Sequence, residues 1–244
     1  MGTILAFISI IIIASIFQTS TGFGFSIMAT PFLLLLFLPQ DAIQLNIVLS
    51  LIISIALIWK IRADIDKILL KRMVVGSIIG VPLGIIIYMT VDIIIFKLMI
   101  SIILLLLTLL LLCRVKMIST PKRDYFVGWI SGILTTSIGM PGPPLLLYFT
   151  GTKITKEKLR ATTLAFFLFI YSISLITQIT FSGTTTSVWL SSLYAIPLVI
   201  IGLGLGQYLF KKMNQQIFTV ITYALLLITG IYLLFDSMNS ILTA

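Results

Sequence analysis

The chain has 244 residues, 59% of them hydrophobic and 9% charged, with a formal charge of +9. A mean hydropathy of +1.23 is more than one water-soluble core of this size can enclose, so the chain reads as an all-α integral membrane protein. With no histidine and a single cysteine, Cys113, it lacks the means for a disulfide framework or a Cys/His metal centre within one chain, and no cofactor is implied.

In chain order, the N-terminus MGTILAFISI lacks the basic region of a secretory signal and is read as mature structure. The first apolar run, Ile4 to Phe17, is separated from a second, Ser26 to Leu38, by the Gly-containing break within TSTGFGFSIMATP, Thr19 to Pro31. Full-length runs follow at Ala42 to Trp59, Met73 to Tyr88 and Ile93 to Leu112, each near the roughly 20 residues a spanning helix needs. The stretch Arg114 to Asp124, with Pro121, reads as a linker. Two further short runs, Tyr125 to Thr136 and Pro143 to Thr150, flank a second break in TTSIGMPGPPLLLYF, Thr135 to Phe149. Three more spans close the chain, at Ala161 to Phe181, Val188 to Phe210 and Ile217 to Phe235.

The basic residues test this count. All but Lys97 fall in four clusters: Lys60, Arg62, Lys67, Lys71 and Arg72; Arg114, Lys116, Lys122 and Arg123; Lys153, Lys156, Lys158 and Arg160; Lys211 and Lys212. Cytoplasmic loops collect Lys and Arg, so the clusters should share one side. They do so if each pair of short runs forms a re-entrant hairpin, which puts both termini outside and the basic loops in the cytoplasm. This placement also accounts for the positive charge without nucleic acid.

Each half is then a broken, re-entrant helical hairpin plus three transmembrane helices. An odd number of crossings per half inverts one relative to the other, so the expected architecture is an inverted repeat of two four-element units: residues 1–113, a linker at 114–124, and residues 125–244. Pro31 pairs with Pro144, Gly80 and Gly84 with Gly202 and Gly206, and Ile95-Phe96 with Ile217-Phe218. The register slips by nine residues between the first pairing and the others.

A matched pair of interrupted segments in a duplicated membrane protein points to a transporter's binding site, because irregular backbone survives in a bilayer only where it is buried in protein or lines a cavity. Where a helix restarts after a break, its free N–H groups and dipole attract anions. Gly22, Gly24, Gly139 and Gly142 would let a ligand approach the backbone. Pro143-Pro144 is suited to opening a helix, whereas Pro31 is expected to kink one. The candidate substrate-binding set is Thr19, Ser20, Thr21, Gly22, Phe23, Gly24, Thr136, Ser137, Gly139, Met140, Pro141, Gly142 and Pro143, with Asn46 and Thr162 as an outer layer. Hydroxyls donate without bringing charge, which suits an oxyanion that must be released. Two alternatives stand beside this: Ser and Thr capping broken helix ends, and Asn46 and Thr162 making ordinary interhelical hydrogen bonds.

No ionisable residue lies near the midpoint of a span. Asp41, Asp92, Lys97 and Asp236 fall at outer ends, which favours an anion or neutral substrate over a cation pump. Gly76, Gly80, Gly84, Gly202 and Gly206 form small-xxx-small faces for close packing, inside the fold or between protomers of a homo-oligomer. Trp59, Trp129 and Trp189 read as interfacial anchors. An intramembrane enzyme would need a nucleophile with a base, or a metal, and the sequence provides neither.

The motif Gly139-Met140-Pro141-Gly142-Pro143-Pro144-Leu145 with Leu146-Leu147-Tyr148, together with Gly22-Phe23-Gly24-Phe25, Pro31 and Leu159-Arg160-Ala161-Thr162, resembles the sulfite exporter TauE/SafE family. The first-half motif carries fewer glycines than many family members. The resemblance implies a secondary transporter of a small sulfur-containing anion such as sulfite, sulfoacetate or a related organosulfonate. It leaves direction and coupling ion, H+ or Na+, open. A passive anion channel and a scaffold that transports nothing are the alternative readings.

Overall fold

The computed structural model describes residues 2–90, 120–150 and 154–212, with scattered positions between 95 and 109 and between 220 and 238. Most of the expected spans Ile93 to Leu112 and Ile217 to Phe235, linker residues 114–119, and Asp92, Lys97, Cys113 and Asp236 lie outside the described residues. Every element described is helical: α1 (Gly2–Thr21), α2 (Phe25–Leu33), α3 (Pro39–Ile61) with a 3-10 turn (Arg62–Asp64), α4 (Lys67–Thr90), α5 (Pro121–Ile138), α6 (Gly142–Thr150), α7 (Lys156–Ser182) and α8 (Thr186–Lys212). Five are long and apolar enough to cross a membrane: α1, α3 with its 3-10 turn, α4, α7 and α8.

Helix starts follow local chemistry. Thr120 caps α5 by accepting from the Arg123 amide at 3.4 Å, with Pro121 in the first turn, and Thr155 caps α7 by accepting from the Lys158 amide at 3.4 Å.

Polar contacts sort the helix ends into two groups. At one end Arg72 meets Asp124 at 2.9 Å, Lys158 meets Asp66 at 3.0 Å, and Lys60 donates to Gln207 at 3.3 Å. The described members of all four basic clusters therefore share one end, as the positive-inside count requires. Burial opposes ionisation of Asp66, but the Leu69 amide and the Lys158 ammonium outweigh it and hold the carboxyl below its ordinary range. At the opposite end Asp41 accepts from Thr185 at 2.9 Å, and Gln44 donates to the Gly183 carbonyl at 2.8 Å.

Both hairpins are present. The Phe7 and Phe37 rings lie 5.8 Å apart, so α1 enters from the end opposite the basic one and α2 returns to it. Tyr148 donates to Asp124, so α5 and α6 enter and return at the basic end. Their long limbs exceed expectation. Instead of 4–17, α1 runs 20 residues, about 30 Å at 1.5 Å per residue. Instead of 125–136, α5 runs 18 residues from Pro121, so the second hairpin begins inside what reads as linker. The short limb α2 ends at Leu33 rather than Leu38, two residues after Pro31.

The glycine faces pack inside the protomer. A Cβ on Gly76 would fall 2.1 Å from the Tyr125 carbonyl oxygen, on Gly80 2.3 Å from that of Trp129, and on Gly84 2.7 Å from that of Ile133. These contacts advance together, so α4 and α5 run parallel, away from the basic end. Gly202 and Gly206 bring α8 equally close to Ser15 and Thr19 of α1, and this pair runs toward the basic end. Trp59 and Trp189 are exposed, as anchors require, while Trp129 is half-buried within α5.

Candidate site where the two hairpins meet

At the first break, the α1 helix is carried to Thr21 by side chains that bond back to it. Ser20 donates to the Ile16 carbonyl at 2.8 Å and Thr21 to that of Phe17 at 2.7 Å. Such bonds satisfy the donors of hydroxyls in apolar surroundings. Thr21 also accepts from the Phe23 amide at 3.1 Å. Gly22 and Gly24 then reverse the chain at φ 86° and 127°, values a side chain resists. Gly22 is doubly constrained, since a Cβ there would lie 2.9 Å from Arg160 Cα. Beyond the turn, the amides of Phe25, Ser26 and Ile27 open α2 without intrahelical acceptors.

The second break is built alike but offers fewer donors. Gly139 ends α5 in the left-handed region at φ 70°, its amide bonded to the Thr135 carbonyl at 2.9 Å, and the Met140 amide reaches that of Leu134 at 3.1 Å. Pro141, Pro143 and Pro144 have no N–H, which leaves Gly142 as the amide free to face a ligand. Ser137 bonds back to Ile133 at 2.7 Å.

Amides from the spanning helices hold this tip. Asn46 Nδ2 donates to the Gly139 carbonyl at 2.8 Å, Gln178 Nε2 to that of Thr136 at 2.8 Å, and the Thr136 hydroxyl pairs with Ser174 at 2.8 Å. The first hairpin is held likewise, by Gln18 Nε2 on the Ser50 carbonyl at 2.9 Å. The oxygens of Asn46, Gln178 and Gln18 are buried with no partner among the described residues. Thr162 lies elsewhere. Its hydroxyl accepts from the Asp66 amide at 2.9 Å, tying α7 to the loop at the basic end.

The tips touch. A Cβ on Gly142 would sit 3.5 Å from Ile27 Cδ1 and 3.6 Å from Phe23 Cβ. Phe23, Phe25, Ile27 and Met140 are all buried, so the breaks are closed over by the protein itself. A groove of about 580 Å³, lined by residues including Ile58, Val74, Ala165 and Phe169, lies away from them between α3, α4 and α7.

Several residues outside the expected set join the site. The hydroxyls of Ser26 and Ser50 lie beside that of Tyr171 in the core, although none of the three reaches hydrogen-bond geometry. Arg160, one of a cluster that reads as a loop, is 7% exposed, and its Nε donates to the Thr19 carbonyl at 2.8 Å. Asp124, assigned by sequence to the linker, is 1% exposed, with Arg72 and Tyr148 both on its carboxylate. Polar residues inside an apolar span were the available signal for Gln178, Ser50 and Tyr171; Arg160 falls in the Leu159-Arg160-Ala161-Thr162 motif, and no comparable signal marks Asp124.

The Asp124 contacts join the second hairpin to α4, and one prediction follows from their burial. Asp124→Asn is expected to lower stability by about 2 kcal/mol, the range for hydrogen bonds to a charged group. Adding Arg72→Ala to that variant should cost little more, because the partner is already gone. Thermal unfolding in detergent measures both, and fully additive losses would show that the two residues are not coupled.

Comparisons with curated proteins and with solved structures give no match. Residues 7–233 match the family described as Sulfite exporter TauE/SafE, a span that takes in both breaks and every helix described, α1 from its sixth residue onward. The chain belongs to the TauE/SafE sulfite exporter family.

Proposed function

We propose that this protein is a secondary transporter that moves a small anion, a sulfur oxyanion or organosulfonate such as sulfite or sulfoacetate, across the cytoplasmic membrane by alternating access. The observation that carries this reading is the contact between the two hairpin tips, Gly142 against Phe23 and Ile27. Two broken helices that enter from opposite ends and meet in the interior supply a site reachable from either side by rocking one unit against the other. The family is one of membrane transporters rather than enzymes, and it supplies the sulfur chemistry.

The same reading takes the two halves as an inverted repeat. In its support, the fourth helix of each half packs by a glycine face on the first helix of the other, α4 on α5 and α8 on α1, and the two pairs run in opposite directions. The donors are unequal. The first break offers the free amides of α2, whereas the prolines of the second leave little beyond Gly142. The first hairpin is therefore the anion's main hydrogen-bonding partner, and the second supplies shape and closure.

Uptake of radiolabelled sulfite and sulfoacetate into proteoliposomes containing the purified protein tests this. We expect saturable uptake of at least one of them, above protein-free vesicles and unaffected by equimolar chloride. Flux that rises linearly with concentration would replace the carrier with a channel; the absence of flux for both would remove the sulfur-anion reading.

A further inference from the structure

Among the described residues Arg160 is the one buried cation, and no described carboxylate pairs with it. Arg72 has Asp124 and Lys158 has Asp66, but among the described residues the Arg160 guanidinium has only the Thr19 carbonyl on Nε and the Phe210 ring, 4.2 Å from its central carbon. Its Nη2 is buried with no partner among the described residues, and so is the Thr19 hydroxyl beside it. A side chain one turn into α7 could reach water by extending toward the basic end, as long cationic side chains commonly do. This one folds inward, onto the end of α1. An isolated buried charge is costly unless something of opposite sign compensates it.

Resting on the transport reading above, we propose that Arg160 is the charge-recognition residue of the substrate site, and that the anion it takes presents at least two oxygens to the guanidinium edge, as an oxyanion or sulfonate does. The planar fork of arginine bonds such groups through two parallel N–H donors, which a lysine ammonium cannot reproduce. The surroundings are suited to this. Gly22 lets the break approach the Arg160 backbone, and Gly206 brings α8 against Thr19. The Phe210 ring faces the cation and also carries Lys156, whose ammonium is 5.2 Å from its centroid and partly exposed. An anion arriving at the basic end meets Lys156 first and Arg160 one helical turn deeper. Neither residue lies near the middle of a span, so the site attracts the anion electrostatically without placing a fixed charge at the midplane.

The test compares the full-length wild type with Arg160→Gln and Arg160→Lys in detergent, reading thermal stability against sodium sulfite and sodium sulfoacetate, with sodium chloride as reference. The wild type should be stabilised saturably by one of the sulfur anions. Arg160→Gln should need at least tenfold more of that anion, and Arg160→Lys an intermediate amount, while the ligand-free melting temperature of Arg160→Gln stays equal to or above that of the wild type. This last result separates recognition from a structural role, because removing a structural contact lowers stability, whereas removing an uncompensated buried charge does not. Full retention of affinity in Arg160→Gln, or in Arg160→Lys where the glutamine variant does not fold, overturns the assignment and leaves the transporter reading standing. A lower ligand-free melting temperature with unchanged affinity also overturns it, in favour of packing. A wild type stabilised by neither anion overturns the sulfur-anion reading, and the assignment falls with it.

Discussion

Gly80→Leu is expected to leave little folded protein, at a cost of at least about 3 kcal/mol, the upper part of the usual range for overpacking. The size of the effect follows from what the new side chain meets. A Cβ at Gly80 lies 2.3 Å from the Trp129 carbonyl oxygen and 2.9 Å from the Ile133 amide nitrogen. Both are backbone atoms of α5, which no rotamer change can move aside, so the helices must separate. Gly128 and Gly132 present the same contact in reverse, toward Met73 and Ser77 of α4, and separation would loosen all of them. In a membrane, where lipid solvates apolar side chains as well as another helix does, such close packing is a main source of helix association. Gly204→Leu is the matched control. That glycine is exposed on α8, a Cβ there would meet nothing within 4 Å, and its replacement should shift the melting temperature little. Equal losses for the two variants would show that the cost comes from leucine in a helix, not from the α4–α5 contact.

The break positions were legible in the sequence because glycine and proline act locally: Gly22, Gly24 and Gly139 have the positive φ values that end a helix regardless of what surrounds it. The lengths of the limbs were not. An apolar run stops at Phe17, but α1 continues through four polar residues, because in a buried setting Ser20 and Thr21 donate to carbonyls one turn back and cease to behave as polar. Thr135 and Ser137 extend α5 in the same way, bonding to Ser131 and Ile133. The burial of Arg160 and Asp124 was illegible for a different reason. Each sits in a run of charges that reads as a solvated loop, and only the arrival of Thr19 and Phe210 at one, and of Arg72 and Tyr148 at the other, makes them interior. The charge clusters gather at one end of the helices, but they do not reveal which member turns inward.

Gly142→Leu is expected to reduce sulfur-anion uptake by at least tenfold, while Gly142→Ala keeps it within about twofold of wild type. Gly142 is not among the residues with positive φ, so its backbone does not require glycine and the argument is one of space. A methyl group there would rest 3.5 Å from Ile27 Cδ1 and 3.6 Å from Phe23 Cβ, ordinary contact distances that the site absorbs. The branched end of leucine extends past that point into Ile27 and Phe23, both buried, and must push the hairpin tips apart. If the substrate is held where the tips meet, parting them misplaces the free α2 amides relative to the ligand and prevents closure around it. Stability should fall by only about 1–3 kcal/mol, the usual cost of overpacking, so folded Gly142→Leu protein can be reconstituted and assayed beside wild type. Uptake by the leucine variant at the wild-type rate, with equal amounts of folded protein in the vesicles, would place the transport path away from the tips. A loss as large in the alanine variant as in the leucine variant would mean that the bare Gly142 backbone, rather than the fit between the hairpins, is what the anion needs.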